Sequence, residues 1–239
     1  MLLHFEIKRM IEGKEWLGMV LGMVVMIVAA IINSIVVQPM FEGSVSIQYD
    51  YYCGVSQLMP FVFAPSIGNY FTKDYEDKSY YFYKNIGIPL RTYHLNRLFV
   101  ASMFGTGIII LGTGLYFFKE KTSFISSIGV LIILILQYIY TILLSGLVAF
   151  FTKKRIITTV AIIFGTMILS VFNVLPIPSV KGYIFMLDGH SIITDNIKQY
   201  LIYNDLSCFQ SSIFIMAIWI ILFYIIYYAG IMIRQKGQK

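Results

Sequence analysis

Between Glu15 and Glu42 the chain runs without a single charged residue, and Trp16 to Val37 within that stretch is strongly apolar. At about 1.5 Å per helical residue, such a run crosses the roughly 30 Å hydrocarbon core of a bilayer. A secretory signal peptide has an apolar run of only about 7–15 residues, followed by a small-x-small cleavage site. Neither feature fits here, so the segment is expected to stay attached as a first span.

Further runs of this kind lie at 54–72, 98–118, 124–152, 156–175 and 213–233. Together they predict an all-α membrane protein: one transmembrane domain over 1–239, with six transmembrane helices. Pro60 and Pro65 remove backbone donors from the second span and should kink or break it. The link from Lys119 to Ser123 is short enough to force spans three and four into an antiparallel hairpin, and Pro176 and Pro178 close span five. Of the 239 residues, 58% are hydrophobic and 13% charged, with a mean hydropathy of +0.78. Soluble domains average about 45–50% and about 25%. This balance argues against a soluble enzyme, a nucleic-acid module and a disulfide scaffold.

Basic residues are retained on the cytoplasmic side of a membrane and so report orientation. With the N-terminus inside, 14 of the 18 Lys and Arg residues fall on inner segments, and Lys119, Lys121, Lys181 and Lys198 fall outside. The expected topology is therefore N-in and C-in. The formal charge of +6 divides into +8 inside and −2 outside, an orientation signal rather than a footprint for DNA.

None of the six runs holds an Asp, Glu, Lys, Arg or His away from its ends. Intramembrane ionisable groups mark proton relays and ion-coupled transport, so their absence argues against a proton-coupled carrier or an intramembrane enzyme. His4, His94 and His190 are too scattered for a metal site, and no phosphate-binding G-x-x-x-x-G-K-[ST] loop occurs. No catalytic residue, metal or cofactor is expected in this chain. Neutral polar residues in the middle of the runs include Asn33 and Ser34, Gln57, Asn69, Gln137 and Asn173. They serve either as interhelical packing contacts or as the lining of a path for an amphipathic substrate.

The segment 73–97 is the longest inner one and reads KDYEDKSYYFYKNIGIPLRTYHLNR. Asp74 to Asn85 lacks Gly and Pro and is expected to form a short interfacial helix. Gly87 and Pro89 then break it, and a second short turn from Arg91 leads into span three. This segment resembles the coupling region of permease subunits of the ABC (ATP-binding cassette) type 2 transporter family. It shares an acidic-aromatic start at Asp74, Tyr75, Glu76 and Asp77, then Pro89, Arg91, Tyr93 and Arg97. The glycine usual after the acidic start is missing, with Lys78 and Ser79 near that point. The resemblance implies six helices and a coupling helix that seats in a cytosolic ATPase subunit, present in two copies, which binds ATP and Mg. It also implies a second permease, identical or sister, and a bacterial plasma-membrane location.

Four other features complete the picture. Residues 1–15 place Leu3, Ile7, Met10 and Ile11 at helical spacing, an amphipathic helix for the inner interface. The outer loop 176–212 is long for a structureless connection and should hold short or re-entrant helices. Gly18 and Gly22, with Gly105 and Gly112, form small-residue stripes for close helix packing. Cys53 and Cys208 fall on the same, outer side, where either a disulfide or two free thiols would fit.

The resemblance and the smooth, uncharged spans point to a non-catalytic permease subunit of an ATP-driven exporter. Its expected cargo is amphipathic, such as an antimicrobial or cytolytic peptide. The alternative is a membrane sensor or accessory protein without transport activity of its own.

Overall fold

The computed structural model describes residues 2–32, 35, 46–78, 83, 85–174 and 189–236. Among the described residues there are eight helices and no strand: α1 (Leu2–Glu12), α2 (Glu15–Ile32), α3 (Ile47–Glu76), α4 (Leu90–Lys119), α5 (Phe124–Thr152), α6 (Arg155–Val174), α7 (Gly189–Tyr203) and α8 (Leu206–Lys236). Four of these, α2, α4, α5 and α8 over Leu206–Gln235, are long and apolar enough to cross a membrane. They mark the chain as a helical membrane protein. α6 is apolar over Arg155–Ile168.

α3 has 30 residues and so spans about 45 Å, but it carries two prolines, Gln57, Asn69 and five tyrosines and is less apolar than those four. Its position accounts for that composition. α3 packs against α2, α5 and α6 and also touches α4 and α7, so its polar groups meet protein rather than lipid. Tyr51 Oη and Thr113 Oγ1 share a hydrogen bond of 2.9 Å, and Gln137 Nε2 donates to Tyr52 Oη at 2.9 Å. Ser46 caps the helix by accepting from the Tyr49 N–H at 3.1 Å. The expected break at Pro60 or Pro65 does not occur. The helix runs through both, and neighbours on several sides lower the cost of the carbonyls that proline leaves free.

Several helices begin earlier than their apolar runs. α4 starts at Leu90, directly after Pro89, and is continuous, so no separate turn precedes it and His94 and Arg97 lie within it. α3 and α8 start at Ile47 and Leu206, in polar residues ahead of the apolar stretch. Asp74 to Glu76 form the last turn of α3 rather than the start of an independent helix. Residues 79–82 and 84, five of the twelve in that expected helix, lie outside the described residues, as does 175–188 of the outer loop. Residues 189–203 form α7, which buries Ile193, Ile197 and Tyr200. Its Tyr200 ring stacks on Phe209 with centroids 4.8 Å apart.

The helices reverse so that one end of the bundle gathers the α1–α2 turn, the α3–α4 and α5–α6 connections and the end of α8. Four contacts draw them together there: Lys73 with Glu15, Arg155 with Asn69, Arg9 with Asp74, and Arg234 over the Phe150 ring. α7 and the α4–α5 hairpin occupy the other end.

Close approach depends on glycine at two contacts. A side-chain carbon on Gly18 would stand 2.1 Å from Ser66 Oγ, and one on Gly22 would stand 2.4 Å from Val62 Cγ1, so α2 lies directly on α3. On α4, a carbon on Gly105 would enter the Tyr138 ring, with its nearest atoms at 1.9 Å. That ring is fixed by donating to Ala101 O at 3.0 Å. Gly107, two residues on, faces open space. Gly105→Ala should therefore destabilise the bundle by about 1–3 kcal/mol through overpacking. Gly107→Ala should be neutral or stabilising by up to about 1 kcal/mol through helix propensity. Thermal unfolding in detergent, followed by loss of the monodisperse peak, measures both.

Candidate functional site

The dominant polar feature is a buried charge cluster where α1, α3 and α4 meet. α1 supplies Glu6 and Arg9, α3 supplies Tyr70 and Asp74, and α4 supplies Tyr93 and Arg97. The last two pairs are each four residues apart, which puts their members on one face of a helix. Arg97 is fully buried. Its Nε donates to Glu6 Oε2 at 3.4 Å, and its Nη1 donates to Tyr93 Oη at 2.7 Å and to Phe71 O at 3.2 Å. Nη2 stands 3.4 Å from Asp74 Oδ2. The Tyr70 and Tyr93 rings lie 4.7 and 5.0 Å from the guanidinium carbon, where their π faces attract the cation.

The anionic side is equally engaged. Tyr70 Oη donates to Glu6 Oε2 at 3.0 Å, Tyr93 Oη donates to Asp74 Oδ2 at 2.5 Å, and Arg9 grips both Asp74 oxygens with its two terminal nitrogens. Two arginines and two carboxylates thus cancel in charge, which is the condition for keeping ions away from water. Burial pushes the Asp74 carboxyl up, but the charge of Arg97 and the contacts from Arg9 and Tyr93 outweigh it and hold the group at about 2.

A second set of contacts ties the same end of α3 to α2 and α6. Asn69 Nδ2 donates to Glu15 Oε1 at 3.1 Å, and Lys73 Nζ lies 3.7 Å from that oxygen. Arg155 Nη1 donates to Asn69 Oδ1 at 3.3 Å, and the Arg155 backbone N–H donates to Glu76 Oε1 at 2.7 Å, capping α6. A third set centres on buried His94. Its Nε2 bonds Tyr75 Oη at 2.9 Å and its Nδ1 bonds Tyr227 Oη at 2.7 Å, joining α3, α4 and α8. Both ring nitrogens are occupied, so His94 serves here as a structural link.

The residues named from sequence for ATPase coupling therefore divide. Asp74, Tyr93 and Arg97 are inside the protein, and Tyr75 is half-buried against His94. Glu76, Asp77, Pro89 and Arg91 are exposed, with Arg91 stacked over the Tyr228 ring at 5.1 Å. Of the polar residues considered for a path, Asn69 sits in the α2–α3–α6 contact, Gln137 is buried against Tyr52, and Gln57 is exposed. Gln57 and Asn69 are separated by about 18 Å along α3. The side chains of Asn33 and Asn173 lie outside the described residues. Gly112 adjoins Met23 of α2, where a side-chain carbon would stand 2.7 Å from Met23 Cε. Cys53 and Cys208 are both free thiols. Among the described residues no group of three or more His, Cys, Asp or Glu side chains is placed to hold a metal ion.

Sequence reasoning misses Glu6, Arg9, Tyr70 and Glu15 as members of the site. The available signal was the face of α1 formed by Glu6, Arg9 and Met10, which is the face the bundle covers. The more apolar Leu3, Phe5 and Ile11 are left exposed.

No family model matches this chain, and neither a characterised protein nor a solved structure matches it.

Removing one charge strands its partner in the interior, at a cost of about 3–5 kcal/mol. Asp74→Asn should incur most of this and release α1. Because Asp74 is more acidic folded than unfolded, its stabilisation is complete above about pH 4 and is lost as pH falls through about 2. Fluorescence of Trp16, at the α1–α2 junction, in a Trp219→Phe background should change across that window in the parent. In Asp74→Asn the same change should already be present at pH 7.

Proposed function

We propose that this chain is the permease subunit of an ATP-driven ABC exporter, with six spans, both termini in the cytoplasm and a separate cytosolic ATPase. The reading rests on the α3–α4 connection. Its exposed residues Glu76, Asp77, Pro89 and Arg91 stand between two roots that are locked to each other. One root, Asp74, ends α3. The other, Tyr93 and Arg97, opens α4, and both are bonded to α1. A push on residues 76–91 would pass into two long helices at once, because Asp74 of one is bonded directly to Tyr93 and Arg97 of the other. This is the mechanical property a coupling segment requires.

The gathering of basic connections at one end of the bundle supports the N-in orientation, since all the inner segments of that topology meet there. In this reading α3 and α6 complete six spans with α2, α4, α5 and α8. ATP and Mg belong to two copies of the partner ATPase, and a second permease completes the pathway in the bacterial plasma membrane. The apolar helix surfaces suit an amphipathic cargo such as an antimicrobial or cytolytic peptide.

Affinity purification of the full chain from native membranes should recover an ATPase carrying a Walker motif, and its absence would sink the proposal. Asp77→Ala with Arg91→Ala removes exposed groups only. It should leave thermal stability unchanged while weakening ATPase association about tenfold, equivalent to about 1.4 kcal/mol. Equal association in the double variant would place the contact elsewhere.

A further inference from the structure

A cavity of about 410 Å³ lies between the α1–α2 turn, α3 and the start of α6, at the basic end of the bundle. Its rim carries Lys14 and Arg155, and Ser66, Asn69 and Thr159 add polar groups to the wall. Lys14 is exposed, held in the left-handed conformation at φ 61° where the chain turns from α1 into α2, and makes no ion pair among the described residues. Arg155 is also exposed, and its guanidinium has one bond, to the neutral amide of Asn69.

One carboxylate, Glu15, stands in the same wall, but it is turned inward. Its Oε1 is taken by Asn69 and Lys73, and its Oε2 is folded beneath Gly13, where a side-chain carbon would lie only 2.0 Å away. The other nearby carboxylate, Glu76, spends one oxygen on the Arg155 backbone. Lys14, Lys73 and Arg155 thus outnumber Glu15 and Glu76 around the cavity, which leaves its opening with a net positive charge.

The opening leads onto apolar surface. Ile156, Val160 and Phe164 follow one another at four-residue spacing along α6 and are 73%, 45% and 59% exposed. Leu17 and Leu21 are likewise exposed on α2, and Gly18 and Pro65 line the cavity. A polar pocket of net positive charge, continuous with apolar surface on a membrane helix, matches a ligand with an anionic head and a hydrocarbon chain.

We propose that this cavity holds the phosphate of an anionic phospholipid from the surrounding bilayer. Lys14 and Arg155 clamp the head, Ser66 and Thr159 supply hydroxyl donors, and an acyl chain lies along Ile156, Val160 and Phe164. The site does not depend on the transport reading, because it uses none of the α3–α4 connection.

The full chain, purified in a neutral detergent, is titrated with phosphatidylglycerol and separately with phosphatidylcholine, and bound lipid is counted by native mass spectrometry. Phosphatidylglycerol should bind in preference to phosphatidylcholine. Lys14→Gln, a change at an exposed residue without an ion pair, should weaken it about fivefold, and K14Q/R155Q should weaken it about twenty- to thirtyfold, from the usual contribution of a basic residue to an anionic lipid surface. Lys119→Gln with Lys121→Gln, at the other end, should leave binding unchanged. Phosphatidylglycerol with a photoreactive acyl chain should label the peptide spanning 156–164. Equal retention of the two lipids, or unchanged affinity in both Lys14 variants, would overturn the site. Displacement by soluble glycerol phosphate at equimolar concentration would overturn the assignment to lipid.

Discussion

A guanidinium with no access to water is the constraint around which this bundle is arranged. Arg97 keeps its charge only because Glu6 and Asp74 approach it from two other helices and because two tyrosine rings flank it. Each carboxylate is in turn held by a tyrosine hydroxyl, and Asp74 also by Arg9. The cluster behaves as one unit: an isolated charge at this depth would cost far more than any neighbouring packing contact could return. The relative placement of α1, α3 and α4 at that end therefore follows from electrostatic necessity more than from hydrophobic fit.

The most polar of the long helices is also the most central. Elsewhere in the protein, apolar side chains face outward: Leu21, Val25, Leu111, Leu115 and Phe214 are all more than half exposed, as suits a lipid-facing surface. α3 reverses this pattern by turning Asp50, Tyr51, Tyr52, Ser56, Tyr70 and Asp74 into the protein, and Tyr51, Tyr52, Tyr70 and Asp74 hold neighbouring helices by hydrogen bonds. In a bilayer, apolar contact between helices has little advantage over contact with lipid tails, so polar contacts and close backbone approach carry the specificity. The Gly18 and Gly22 contacts with α3 are the second of these devices.

The helices were legible in the sequence because the bilayer imposes a length and a composition that can be read locally. The runs beginning at Trp16, Leu98, Phe124 and Ile213 each announce a helix, and only their polar extensions, from Leu90 and Leu206, were hidden. The charge cluster was not legible in the same way. Arg97 and Glu6 are 91 residues apart, and nothing near either one indicates that the other neutralises it. Read locally, Arg97 is an ordinary basic residue flanking a span, and Glu6 is a surface carboxylate on an amphipathic helix. Burial of an ion is a tertiary fact, and its local traces were the Glu6, Arg9 and Met10 face of α1 and the aromatic-to-charge pairs at Tyr70 and Asp74 and at Tyr93 and Arg97, each pair one helical turn long.

The docking of α1 has a consequence for the order in which the protein can be assembled. α1 is made before α3 and α4, yet the groups that hold it, Asp74 and Arg97, are made 65 and 91 residues after their partners Arg9 and Glu6. Until α3 and α4 are both in place, Glu6 and Arg9 have no buried partners, and α1 has only its exposed Leu3, Phe5 and Ile11 with which to wait at the membrane surface. Full seating of α1 therefore requires that both helices stand side by side.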